Sequence, residues 1–100
     1  MSKSASERIN SLFEELDVVD NQLSKHFGGY ELISNQMDDE LCIQGNVAGL
    51  VHLARQVLYV AKSNVVGKHM HFDEYSDLTE CNGKFIIGLM NTNDVSEETK

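Results

Sequence analysis

No apolar run in this chain approaches the roughly 20 residues that a helix needs to span a bilayer, which excludes a transmembrane helix. The opening segment, MSKSASERIN, lacks the apolar core of a secretory signal and so predicts a cytoplasmic protein. Cysteine is scarce: Cys42 and Cys81 lie far apart and form no C-x-x-C pair, so a disulfide scaffold is not expected. Cys42 reads as a small buried apolar residue, and Cys81, in a polar stretch, as an exposed one. Positive charge is short too. Eight bases against sixteen acids leave a net charge of -8 with histidine neutral. Nucleic acid and anionic membranes are therefore poor partners, since both need lysine and arginine to neutralise phosphate. Proline and tryptophan are absent altogether, and that constrains the fold little. Also missing are a Gly-x-Ser-x-Gly elbow, a phosphate-cradling loop and a dinucleotide fingerprint. Neither cysteine has a local motif that supports a nucleophile. No enzyme and no cofactor is expected.

What is present suits one small globular domain. One hundred residues, 41% of them hydrophobic, bury roughly 60 to 70% of the unfolded surface, enough for one modest core. In the first segment Ile9, Leu12, Phe13, Leu16, Val19 and Leu23 recur at helical steps, predicting a helix over about 5–26. Ser4 or Ser6 is placed to cap it, and Gly28 and Gly29 follow its end. Glu14, Glu15, Asp17 and Asp20 are assigned to its solvated face. Two short alternating runs, 30–34 and 40–44, flank a polar turn through Asn35, Asp38 and Asp39 and predict a hairpin with a longer loop.

Asn46 then caps a second helix, whose apolar face is assigned to Leu50, Leu53, Ala54, Val57, Leu58 and Ala61. Gly49 leaves room there for another backbone, while His52 and Arg55 fall toward the polar side, His52 as a surface residue. After Gly67 the period changes to two, and KFIIGLMN reads as a buried final strand. The expected fold is α+β over 1–100: a four-stranded mixed sheet in the order α-β-β-α-β-β. The central helix packs on one face, with the N-terminal helix extra. The core covers about 29–91, and a frayed tail covers 92–100.

The stretch GKHMHFDEYSDLTE, residues 67–80, concentrates the polar chemistry, with four acids in its last eight residues. His69 and His71 project from one face of a strand beside Asp73, and H-x-H-x-D is a short metal-ligand string. Further ligands would have to be His26 or His52, on helices, so a metal-free site is the expectation. The simplest reading is that histidines on a half-exposed sheet face hydrogen-bond to neighbouring carboxylates and backbone without doing chemistry. The binding reading has His69, His71, Asp73, Glu74, Tyr75, Asp77 and Glu80 present an acidic face to another protein. For Tyr75 two roles stand evenly, an interface anchor or a residue closing the loop over the sheet.

These residues also resemble a known family. GNVAGLVHLARQVL followed by GKHMHFDEYSDL is similar to the bacterial immunity proteins called immunity protein thirty-two, which accompany polymorphic toxins. The features are Gly45-Asn46 at a strand end, Gly49-Leu50 and Leu53-Ala54 on the helix, then Gly67, His69, His71, Asp73 and an apolar final strand. They span roughly residues 40–90, about half the chain. The resemblance implies a protein that binds and neutralises one cognate toxin by stoichiometric occlusion. A net charge of -8 suits a basic toxin such as a nuclease domain, although acidity also serves plain solubility. Two other readings stand beside it. One is a small metal-binding protein using His69, His71 and Asp73; the other is an oligomeric structural or regulatory protein that self-associates through its N-terminal helix.

Overall fold

The computed structural model describes residues 4–26 and 29–90, with the His26 side chain outside the description. The tail expected at 92–100 and Gly28 also lie outside the described residues. The elements are α1 (Ala5–His26), β1 (Leu32–Met37), β2 (Glu40–Gly45), α2 (Val47–Ser63), β3 (His69–Phe72), β4 (Glu80–Asn82) and β5 (Phe85–Gly88). No helix among the described residues is long and apolar enough to cross a membrane.

Each helix starts where its side chains satisfy the first free N–H groups. At α1, Ser4 and Glu7 form a reciprocal capping box: the Glu7 N–H donates to Ser4 Oγ at 3.2 Å, and the Ser4 N–H donates to Glu7 Oε1 at 2.9 Å. Asn46 caps α2 as expected. Its Oδ1 accepts the N–H of Gly49 at 2.7 Å and of Glu31 at 3.0 Å, tying the helix start to the lead-in of β1. Gly49 is needed at this junction, because a Cβ there would collide with the Glu31 carbonyl oxygen.

The strands depart from the expected four-stranded sheet. They form a three-stranded sheet, β2-β1-β4, and a separate antiparallel pair, β3-β5. The additional strand, β4, lies in the stretch expected to be loop. Thr79 places it: its hydroxyl accepts the Leu32 N–H at 2.9 Å and its N–H donates to the Leu32 carbonyl at 2.7 Å. Residues 80–82 then run parallel to β1, so β3 and β5 pair with one another. The larger sheet is mixed, with β1 and β2 antiparallel and β1 and β4 parallel. The β1-β2 hairpin is tighter than predicted. Met37 faces Glu40 across two residues, and Asp38 supplies the positive φ of 55° that so short a turn requires.

Leu32, Phe72 and Leu78 form the buried centre, where the two sheets meet. Leu53 of α2 packs against it, and Phe72 stacks on Phe85 at 4.7 Å between ring centroids. Several faces are set otherwise than the sequence predicts. Cys81, on β4, packs against this centre, whereas Cys42 is exposed on β2; pairing β4 with β1 exchanges their expected roles. The final strand is half-buried, not buried: Phe85 and Ile87 turn inward, while Ile86 is 59% exposed, with none of the described residues covering the outer face of the pair.

The largest correction concerns α2. Its buried positions are Ala48, Gly49, Gln56 and Val60. Of the face assigned to the core, Leu53 turns inward, whereas Leu50, Ala54, Val57 and Ala61 are exposed. The physical reason lies in α1, which offers α2 two carboxylates along with its apolar side chains. The helix therefore turns inward the side chains that can answer them.

Candidate functional site

The loop between β3 and β4 rests on a polar cluster assembled from four parts of the chain. Asp20 sits within the apolar stripe of α1 and is buried, although it was expected on the solvated face. Spaced seven and eleven residues after Phe13 and Ile9, it falls on their side of the helix, a periodic signal that could have placed it. His52 of α2 meets it, with Nδ1 2.9 Å from Asp20 Oδ2. On the other side, His52 Nε2 lies 3.6 Å from Asp77 Oδ1. His52 is thus half-buried between two carboxylates and is not the surface histidine predicted.

Tyr30 stacks on the His52 ring at 4.4 Å, and its hydroxyl donates to the Asp77 carbonyl at 2.8 Å. Gln56 Nε2 donates to Asp77 Oδ2 at 2.7 Å, and Arg55, which donates to Gln56 Oε1, also donates to Asp17 Oδ1 at 2.9 Å. Burial pushes the Tyr30 phenol above its ordinary value of 10.0, with further upward contributions from Asp77 and then Asp20.

Among the residues singled out in the sequence, His69 and His71 do share the outer face of β3. Their rings meet edge to face at 5.0 Å, and His69 Nδ1 lies 2.7 Å from the Gly67 carbonyl oxygen, in reach to donate. Asp73 is past the strand and committed to a turn. Its Oδ1 accepts the Tyr75 N–H at 2.9 Å, and its own N–H donates to Ser76 Oγ at 3.0 Å. Ser76 Oγ in turn donates to the His71 carbonyl at 2.8 Å. Among the described residues, no group of three or more His, Cys, Asp and Glu side chains is placed to hold a metal ion.

Glu74 and Tyr75 lie at the tip of this loop, and Tyr75 is 91% exposed. That removes the role of closing the loop over the sheet. Asp77 turns inward to the cluster, while Glu80 stands exposed at the start of β4, in the other sheet. An open depression of about 390 Å³ adjoins the turn, lined by His71, Asp73, Lys84 and Ile86 among others.

Chemically, the two regions differ. His52 Nε2 and Asp20 Oδ1 are sealed from solvent and without hydrogen-bond partners. The cluster holds α1, α2 and the loop in one arrangement. The loop tip, by contrast, offers contact area: an aromatic ring, carboxylates and a neighbouring depression. No family model, curated protein or solved structure matches this chain.

Proposed function

We propose that this chain is a bacterial immunity protein that binds a cognate toxin domain stoichiometrically and occludes it, without catalysis. The 73–80 loop, with His69 and His71 beside it, is the contact surface. The observation that carries this reading is Tyr75, 91% exposed on a loop fastened at both ends. A tyrosine left in solvent contributes nothing to the fold, whereas at an interface it supplies large contact area at small entropic cost. The Asp73–Ser76 turn and the Asp77 contacts with Gln56 and Tyr30 hold the loop ready, which lowers the ordering cost of binding. Glu74 and Glu80 add exposed negative charge, and the net charge of -8 favours a basic partner such as a nuclease domain. The sequence resemblance to immunity proteins points the same way.

The test begins with an affinity pull-down of the tagged chain from its native cells. One toxin, or its C-terminal domain, is expected in about equal amount, and co-expression should protect cells from it. Replacing Tyr75→Ala together with Glu74→Lys and Glu80→Lys should weaken capture by more than about tenfold, the scale of losing one aromatic anchor. These side chains are exposed, so the far-UV circular dichroism should not change. Capture at full strength by the triple variant would remove the loop from the contact, and a bait that recovers no toxin from toxin-producing cells would remove the function.

A further inference from the structure

The exposed side of α2 carries Leu50, Ala54, Val57 and Ala61 of the apolar face that periodicity assigns to a core, preceded by Val47. Val47, Leu50, Ala54, Val57 and Ala61 follow one another at steps of three, four, three and four residues, all exposed. The three larger side chains remain 66%, 46% and 40% exposed in that order, Val47, Leu50 and Val57. This is the spacing by which one helix presents a seam to another. Among the described residues, α1 and the strands pack on the other sides of α2 and leave these side chains open to solvent.

We propose that two copies of this chain pair across that stripe, α2 against α2, antiparallel about a two-fold axis at Ala54. The stripe is roughly symmetric in spacing: Ala54 has Leu50 and Val57 to either side, then Val47 and Ala61. An antiparallel pair sets Val47 against Ala61 and Leu50 against Val57, and the small Ala54 at the axis lets the helices approach to about 8 Å. A parallel pair would oppose Ala54 to Ala54 and Ala61 to Ala61 at separate levels and leave gaps there. Charge does not oppose the association locally. The charged residues of α2 are Arg55 and Lys62, both turned toward α1, where Arg55 pairs with Asp17 and Lys62 lies over the Phe13 ring. The stripe itself therefore brings no like charges of α2 together, although each molecule carries a net charge of -8.

The area sets the strength. Covering the remaining exposed part of these side chains removes on the order of 300 Å² per copy, below the roughly 800 Å² per partner of a standard stable interface. The dimer is accordingly weak and concentration-dependent. The site is distinct from the loop surface, so the pairing does not rest on the proposed function.

Sedimentation velocity of the full chain over a concentration series should show a monomer passing to a dimer. Leu50→Glu with Val57→Glu should raise the dissociation constant by more than about tenfold. Geometry is read separately by cross-linking in a Cys42→Ser, Cys81→Ala background. Ala54→Cys should link to itself, and Val47→Cys should link to Ala61→Cys but not to itself. This readout also serves if the double glutamate variant does not fold. A chain that stays monomeric at every concentration overturns the proposal and leaves the stripe to a different protein. Self-linking of Val47→Cys, or a dimer indifferent to the glutamates, overturns it equally.

Discussion

At Asp20 the apolar stripe of α1 admits a carboxylate, and the residues that answer it decide how the two helices meet. Removing Asp20 alone leaves His52 facing a void, whereas replacing both with apolar residues removes the need for either. Asp20→Ala is expected to destabilise the fold by roughly 2–4 kcal/mol in urea denaturation, and Asp20→Leu with His52→Leu to come close to neutral. Equal losses from the two variants would show that the cluster contributes more than mutual neutralisation. Tyr30 gives the pH dependence. The folded phenol holds its proton more tightly than the unfolded one, whose value is 10.0. Its contribution is therefore fully present below pH 10 and is lost as pH rises through the higher folded value. Denaturation midpoints should fall above pH 10 more steeply in the native sequence than in Tyr30→Phe.

On the scale of elements, the start of α2 is fixed by a close junction with the lead-in to β1. Asn46 joins it to Glu31, and Gly49 lets that backbone close on the first turn. On intrinsic propensity alone, Gly49→Ala would stabilise a helix by up to about 1 kcal/mol. Here the added methyl meets backbone that has little room to yield, and a loss of about 1–3 kcal/mol or more is expected, as for other overpacked sites. Thermal unfolding followed by circular dichroism decides the sign; a higher melting temperature would mean that the Glu31 segment moves freely. The N-terminal helix had been one candidate for self-association. Ile9, Phe13, Leu16 and Leu23 are half-buried, Phe13 meets Tyr59 at 6.0 Å, and Asp17 and Asp20 bind α2. Much of its apolar face is thus committed within the chain, and the outward stripe of α2 is the better surface for a second copy.

For the whole molecule, the two proposed surfaces differ in kind, and salt separates them. Association of a basic toxin with the acidic loop should slow as ionic strength rises, because screening shortens the reach of charge to about 8–10 Å at 0.1–0.15 M. Pairing through α2 buries no charge and should weaken little, or gain, over the same range. Stopped-flow association rates and sedimentation at low and high sodium chloride check the two. If both responded alike, the surfaces would not be electrostatically distinct.

The sequence by itself determined the helices, their caps and the alternating segments, because these follow from local periodicity and from side chains bonding to nearby backbone. It placed α1 at its observed bounds, Asn46 at its cap and Gly49 at a close approach. His69 and His71 on one strand face were likewise legible, since a period of two needs no partner to be read. Tertiary structure alone decided which strands pair and which face of α2 turns inward. Thr79 makes β4 by reaching Leu32, 47 residues away, and no local pattern encodes that bond. His52 and Gln56 read as polar until Asp20 and Asp77, one from each side, make burial tolerable. A helix with two usable faces has no preferred inside until its neighbours are present, and here the neighbouring carboxylates drew His52 and Gln56 inward beside Ala48, Leu53 and Val60.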